Sequence, residues 1–139
     1  MKITLKRIND HYHFELQNER GHTLYLDNKS EFGGHDLAPS PMELLLMGVA
    51  GCSAIDIISV LKKQRQTITH YYTEVEGVRE PIEEAKPFKK ITVTIILEGD
   101  IDEIKAQKAA QLSFEKYCSV SKTLEPTATI SYQVKVNKK

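Results

Sequence analysis

A long apolar segment at residues 44–61 constrains the fold of this chain more than any other feature. Its length approaches that of a membrane span, but Ser53, Asp56 and Ser59 interrupt it, and a charge in the middle would be costly in lipid. We therefore interpret it as a buried core helix over about residues 42–64. One small subunit has little with which to cover a helix that is apolar nearly all round, so a homodimer with a large apolar interface is expected.

Alternating apolar residues before this helix predict three short strands. The runs contain Ile3 and Leu5, then Tyr12, Phe14 and Leu16, then Leu24 and Leu26, with turn residues between them. This pattern predicts a half-buried, three-stranded meander at the start of the chain.

The chain after the helix predicts two strands, a second helix and a last strand. The strands are expected at residues 71–78, 91–97 and 130–136, and Asp100 with Glu103 resembles a capping box that opens a helix reaching about Tyr117. The element order is then βββ-α-ββ-α-β, which indicates an α+β fold with mainly antiparallel sheet. With 139 residues and no internal linker, a single domain over residues 1–139 is expected.

Charge and termini narrow the possible partners and compartments. The chain has 19 basic residues (lysine and arginine) and 19 acidic residues (aspartate and glutamate). It therefore lacks the basic excess of a nucleic-acid-binding protein. The first residues carry no apolar run long enough for a secretory signal, and a cytoplasmic protein is expected. Lys138 and Lys139 are interpreted as a solvated tail.

Two cysteines are the most informative candidates for chemistry. Cys52 lies one helical turn after Gly48 and one turn before Asp56, so these three residues share a helix face with small neighbours. A buried, inert cysteine is the favoured interpretation from spacing alone, because free cysteine often packs as a small hydrophobic residue. The negative charge of Asp56 would also disfavour a thiolate.

Cys118 stands at the predicted end of the second helix. Small residues recur along this helix at helical spacing, at positions 106, 109, 110 and 113, and would allow close approach of another helix. If the two helices cross through this stripe, Cys118 can approach Cys52; otherwise it is an ordinary thiol at a helix end. In a reducing compartment the two cysteines are expected to be free thiols or a redox pair rather than a structural disulfide.

The five histidines give a weaker indication of a site. His11 and His13 would share one face of a strand, but neither cysteine nor carboxylate stands beside them at metal-ligand spacing. We interpret them as solvated strand residues and expect no metal site.

Two segments around the cysteines are similar to the OsmC/Ohr family. They are residues 39–46 with 50–56, which read PSPMELLL and AGCSAID, and residues 115–121, which read EKYCSVS. The predicted order of elements also matches, and the similarity is greatest to OsmC-like proteins without an assigned substrate.

The resemblance implies a fold, an assembly and a reaction. It implies an intertwined homodimer with sheets wrapped around central helices, and thiol-dependent reduction of hydroperoxides, especially organic ones. Cys52 would be the peroxidatic thiol and Cys118 the resolving thiol, so that oxidation ends in a disulfide between them. A small dithiol or a lipoylated protein would serve as the external reductant, and no metal, flavin or haem cofactor would be required.

Two residues of the family's activating machinery have no match here. Peroxide-reducing members carry a glutamate directly after the proline that begins this helix, where it orients an arginine toward the thiolate. Met42 occupies that position, and Glu43 comes one residue later, about 100° further around the helix. Arg7 and Arg20 are the arginines of the N-terminal segment, and neither lies in a matching motif.

Two other classes of function are compatible with the same residues. One is a non-enzymatic dimer that binds a small apolar molecule, with both cysteines buried and inert. The other is a redox sensor in which the cysteine pair signals without turnover.

Overall fold

The computed structural model describes residues 1–137, so the predicted tail at Lys138 and Lys139 lies outside the described residues. The contacts divide the chain into two compact units, residues 1–45 and the part that begins at residue 46. The α+β class and the predicted order of the main elements are confirmed. The prediction of a single domain stays a prediction.

The first unit is built on an antiparallel meander. Its strands are β1 (Ile3–Arg7), β2 (Phe14–Asn18) and β3 (Thr23–Leu26), paired in the order β1-β2-β3. The predicted half-burial is wrong for β1 in a single chain, since all five of its residues are exposed. Its apolar residues Ile3 and Leu5 are more than half exposed in one chain.

Asp27 organises the loop that follows the meander. Its carboxylate accepts hydrogen bonds from the backbone N–H groups of Asn28, His35 and Leu37, at 2.7, 3.4 and 3.1 Å. Burial raises the pKa of Asp27, but these three donors outweigh burial and lower it below its ordinary value.

The long helix α1 covers Pro41–Lys63, within one residue of the predicted bounds. Ser40 and Glu43 form a capping box at its start: Glu43 Oε1 accepts from the Ser40 amide at 3.0 Å, and Ser40 Oγ accepts from the Glu43 amide at 3.3 Å. Lys62 and Lys63 place positive charge at its C-terminus, where the helix dipole favours it.

Within a single chain α1 is only partly covered, as expected of an apolar helix in one small subunit. One stripe at four-residue spacing is buried, formed by Val49, Ser53, Ile57 and Leu61. The helix is long and apolar enough to cross a membrane by length and composition, and 22% of that apolar window is buried within the chain. Much of its apolar surface is therefore open in one chain.

The second unit contains a three-stranded sheet in the order β4-β5-β6, with β4 at Thr67–Arg79, β5 at Phe88–Asp100 and β6 at Thr129–Asn137. Every second residue of β5 is buried from Ile91 to Gly99, which confirms the predicted alternation. β4 pairs antiparallel with β5, but β6 pairs parallel with it, so the prediction of antiparallel sheets is wrong for this pair. The helical connection between β5 and β6 returns the chain to the starting end of β5, as a parallel neighbour requires.

That connection contains three consecutive helical pieces. They are α2 (Glu103–Leu112), a π-helical turn (Ser113–Tyr117) and α3 (Ser119–Leu124). The N-cap of α2 is Asp102, whose carboxylate accepts from the Lys105 amide, and not Asp100 as predicted, because Asp100 is still part of β5. The predicted small-residue stripe is buried at Ala106, Ala109 and Ala110.

Candidate active site

Cys52 lies in the middle of α1 and is half-buried. Asp56, four residues later, shares its helix face. One turn before Cys52, Gly48 leaves room for α3: a Cβ at that position would stand 3.5 Å from Val120 Cγ1. A small residue in α1 therefore allows the close approach of the segment that carries the second cysteine.

Cys118 lies where the π-helical turn ends and α3 begins. Its amide donates to the Ser113 carbonyl at 2.7 Å, which closes the wide turn, and its own backbone is extended, so that it caps α3. The Sγ atom accepts hydrogen bonds from the Ser121 amide at 3.4 Å and from Ser121 Oγ at 3.1 Å. Cys118 is fully buried, although it lies at the end of a helical segment.

The two cysteines meet at this point, where Val120 of α3 lies beside Gly48 of α1. The Sγ atoms of Cys52 and Cys118 and a carboxylate oxygen of Asp56 all lie within 4.8 Å of one another. Ser113 Oγ donates to Asp56 Oδ2 at 3.0 Å and links the π-helical turn to α1. We call Cys52, Asp56 and Cys118 the thiol–carboxylate cluster.

Burial controls the ionisation of Cys118. Loss of hydration raises the pKa of its thiol; the Ser121 donors act against this shift, and the neighbouring Cys52 adds to it. The net pKa is above the ordinary value, so Cys118 is a neutral thiol near pH 7. An acid that keeps its proton at rest is suited to a second, later step rather than to the first attack.

A tyrosine on β4 borders the cluster. Burial raises the pKa of Tyr71 to about 12, and the charge of Asp56 contributes to the shift, while the adjacent Thr73 hydroxyl opposes it. The oxygen atoms of both side chains are buried, and neither has a hydrogen-bond partner of good geometry among residues 1–137. Tyr71 is therefore neutral near pH 7.

A pocket of about 600 Å³ opens beside Asp56. Its lining is mainly apolar, with Val60, Leu112 and the Tyr117 ring, and Lys63 stands on its rim. It gives a small molecule a route to the Asp56 end of the cluster.

Sequence reasoning found Cys52, Asp56 and Cys118 but missed three residues that surround them. Ser121 follows Cys118 at the spacing of a helix cap, which is a usable signal, but α3 has six residues and is too short to show a helical period. Ser113 was counted only as a small residue of the stripe. Tyr71 carried no signal, because its position depends on the packing of β4.

Glu43 and Arg7 have local roles in the first unit. Glu43 caps α1, and the Ser40 amide and hydroxyl that bond to it lower its pKa. The Arg7 guanidinium donates to the carbonyls of His11 and Asp10, at 2.9 and 2.6 Å. Both residues therefore stabilise the local backbone around them.

The histidine pair is not arranged as predicted. β1 ends at Arg7 and β2 begins at Phe14, so His11 and His13 lie in the connecting turn and share no strand face. The His11 ring packs edge-on against the ring of His35, with centroids 4.5 Å apart. Within the described chain, the thiol–carboxylate cluster is the group of three or more side chains with metal-ligand atoms in mutual reach.

The fold is that of a known class of proteins. A protein-family model described as OsmC-like protein matches residues 33–133, which is most of the chain and includes both cysteines. The chain belongs to the OsmC-like family.

Individual proteins are also similar to this chain. Protein YhfA from Escherichia coli K12 is 41% identical over 118 residues, 84% of each chain. The crystal structure of a hypothetical protein from Aquifex aeolicus VF5 is 28% identical, covers 98% of this chain and 96% of its own, and superimposes with a TM-score of 0.79. An organic hydroperoxide resistance protein OsmC from Legionella pneumophila, 20% identical over 98% of each chain, has the same fold with a TM-score of 0.70.

Proposed function

We propose that this protein reduces organic hydroperoxides, with Cys52 as the peroxidatic thiol and Cys118 as the resolving thiol. The observation that carries the proposal is the thiol–carboxylate cluster, in which two cysteines 66 positions apart in sequence have sulfur atoms within 4.8 Å. The Legionella relative is named an organic hydroperoxide resistance protein, which adds support for this class of substrate.

The proposed reaction has three steps. The Cys52 thiolate attacks the outer peroxide oxygen, the O–O bond breaks, and the departing alkoxide takes a proton and leaves as the alcohol. Cys118 then attacks the sulfur of the Cys52 sulfenic acid, and its own proton leaves with the hydroxyl group as water. An external dithiol, free or carried by a lipoylated protein, reopens the resulting disulfide by exchange, and no bound cofactor takes part.

The unlike surroundings of the two thiols support this division of roles. Cys52 is half-buried, whereas Cys118 is fully buried and its raised pKa keeps it protonated. A disulfide bond has an S–S distance of about 2.05 Å, so the two sulfur atoms, which lie within 4.8 Å, must move toward each other to form it. Because a reducing environment must regenerate the thiols, we propose that the protein acts in the cytoplasm.

We also propose that the protein is a homodimer in which a second copy covers α1. Three large side chains of this helix, Met47, Ile55 and Ile58, are 51%, 69% and 40% exposed in one chain. Asp56 argues against lipid as the cover, since its carboxylate is engaged by Ser113 of the same chain. We expect light scattering to give a dimer that survives dilution; a stable monomer, or partition of the protein into detergent micelles, would contradict this.

Steady-state kinetics test the activity. We expect the wild type to reduce cumene and tert-butyl hydroperoxide with dithiothreitol or dihydrolipoamide, before and after dialysis against a chelator. Cys52→Ser should lose turnover, while Ile104→Ser, a change at a side chain 79% exposed on α2, should retain it. Absence of turnover in the wild type with both reductants would favour the alternatives, a dimer that binds an apolar ligand or a redox sensor.

A further inference from the structure

The thiol–carboxylate cluster has the composition of a metal site as well as of a redox pair. It offers two sulfur atoms and one carboxylate oxygen, and all three atoms lie within 4.8 Å of one another. Thiolates select soft or borderline ions, and Zn²⁺ also accepts carboxylate oxygen. The donor set is therefore chemically matched to Zn²⁺.

The distances are close to those that zinc requires. Three atoms no more than 4.8 Å apart fit inside a circle of about 2.8 Å radius, so one point lies within that distance of all three. Zinc bonds to sulfur at about 2.3 Å and to carboxylate oxygen at about 2.0–2.2 Å. Each donor atom needs to move inward by less than about 1 Å, which side-chain rotation can supply.

Hydrogen bonds already hold two of the three donors from outside the cluster. Ser113 Oγ donates to one oxygen of Asp56, Oδ2, and leaves the other oxygen available to a metal. The amide and hydroxyl of Ser121 both donate to the Cys118 sulfur and would stabilise it as a thiolate. Such outer partners orient metal ligands and strengthen binding.

The cluster also has access for an ion and a fourth ligand. Asp56 lines the pocket of about 600 Å³ described above, which is large enough to hold water. Three protein ligands and one water complete the four-coordinate arrangement that zinc prefers when a site stays open.

A divalent ion would also balance the charge of this cluster. The Asp56 carboxylate and the two sulfur atoms, as thiolates, would carry three negative charges within 4.8 Å of one another. A bound dication attracts all three anionic groups at once.

We propose that the reduced protein binds one Zn²⁺ through Cys52, Cys118 and Asp56, with water as the fourth ligand. Binding converts two thiols into thiolates and releases two protons. Oxidation of the pair by a hydroperoxide, which rests on the function proposed above, takes up two protons, forms the disulfide, yields alcohol and water, and frees the ion. Zinc occupancy and peroxide reduction therefore exclude each other at the same two sulfur atoms.

Competition with a chromophoric chelator measures the binding of Zn²⁺ to the full-length reduced protein. We expect one equivalent per chain, and Co²⁺ in place of zinc should give the sulfur-to-cobalt charge-transfer and tetrahedral ligand-field bands. Cys52→Ser and Cys118→Ser should each weaken binding by about 100-fold, and Asp56→Asn by about 10-fold or more. Glu103→Gln, which removes an exposed carboxylate from α2, should bind as the wild type does.

Further variants and comparisons decide whether this zinc site exists. If Asp56→Asn fails to fold, Asp56→His, which keeps a metal donor, should retain binding and four-coordinate cobalt spectra. Failure of the wild type to compete for Zn²⁺, or equal binding by wild type and Asp56→Asn, would overturn the site. Zinc binding by a protein without peroxide turnover would leave this site standing and refute the proposed reaction; turnover without zinc binding would do the reverse.

Discussion

The segments around Cys52 and Cys118 contribute to one cluster from unlike backbones. Cys52 lies in an unbroken helix of 23 residues, whereas Cys118 lies at the junction between a five-residue π-helical turn and a six-residue helix. The Cys52 side chain is half-buried, whereas the Cys118 side chain is fully buried. Only the second segment supplies hydrogen-bond donors to its own sulfur, from Ser121.

The reason lies in which backbone groups a helix leaves free. In the middle of an α-helix every N–H is bonded to the carbonyl four residues earlier, so the Cys52 sulfur receives none from its own turn. At a helix start the first N–H groups are unpaired, and the cap residue can accept them. The interruption of the helix at Cys118 therefore frees backbone N–H groups that can donate hydrogen bonds to the buried sulfur. A continuous helix offers no such donors.

The largest expected difference between the two segments is in what each cysteine variant does with peroxide. Treatment of the wild type with one equivalent of hydroperoxide should give a Cys52–Cys118 disulfide, seen by mass spectrometry of non-reduced peptides. Cys118→Ser should consume one equivalent, stop as a sulfenic acid and proceed to sulfinic acid with excess peroxide, whereas Cys52→Ser should consume none. Two free thiols in peroxide-treated wild type would contradict the assignment of Cys52.

The next largest difference concerns alkylation. Cys52 should react with iodoacetamide at pH 7 at least about 10-fold faster than Cys118, because Cys118 is buried and its pKa is raised. Peptide mapping over a time course measures both rates, and the urea-unfolded protein, in which the two rates should converge, is the control. Equal and slow labelling of the folded protein would favour two inert core cysteines.

A smaller effect is expected from the Ser121 hydroxyl. Ser121→Ala removes the donor at 3.1 Å and leaves the amide donor, so the Cys118 thiolate loses about 1 kcal/mol of stabilisation. Disulfide formation after oxidation of Cys52 should slow by roughly 5-fold, measured by quenched-flow alkylation. Ser119→Ala, an exposed neighbour in the same helix, should leave the rate unchanged; a similar slowing in both variants would show a general effect on α3.

The smallest effect is the pH dependence of stability that Cys118 contributes. Its folded-state pKa is above the unfolded value, so the folded state keeps a proton that the unfolded state loses. The contribution is full below the ordinary cysteine pKa of about 8.5 and is lost as the pH rises above it toward the folded pKa. Urea unfolding between about pH 7 and 9, below the range in which Tyr71 begins to contribute, should show this decline in the wild type and in Cys52→Ser, and not in Cys118→Ser.

Sequence reasoning predicted the parts of the fold that depend on local periodicity. The alternation of β5, the bounds of α1 and the shared face of Cys52 and Asp56 all follow from residue spacing, and each is confirmed. The sequence predicts the meeting of Cys52 and Cys118 only on the condition that the two helices cross through the small-residue stripe, whereas the close approach in the structure is between Gly48 of α1 and Val120 of α3.

The errors arose where a residue's state depends on distant partners. The parallel pairing of β6 is set by the length and path of the connection, and an alternating pattern such as Ile130, Tyr132 and Val134 is the same for either direction. The burial of Cys118 depends on a π-helical turn, which holds one residue more than an α-helical turn. The amino-acid composition of the segment gives no sign of that extra residue. The exposure of β1 has no local signature, because an alternating apolar pattern is the same whether its own chain or a second copy covers the strand.

The parallel β5–β6 pair has a consequence for the order in which the protein folds. β4 and β5 are adjacent in sequence and form their antiparallel pairs across a connection of eight residues, 80–87, whereas Lys90 pairs with Thr129 only after residues 101–128 have crossed the sheet. Closing a longer loop costs more entropy, so the hairpin should form first and the crossover last. Cys118 lies in that crossover, and pulse alkylation during refolding should find it accessible until the final phase. The newly made chain would thus keep its two sulfur atoms apart until the rest of the sheet can hold them.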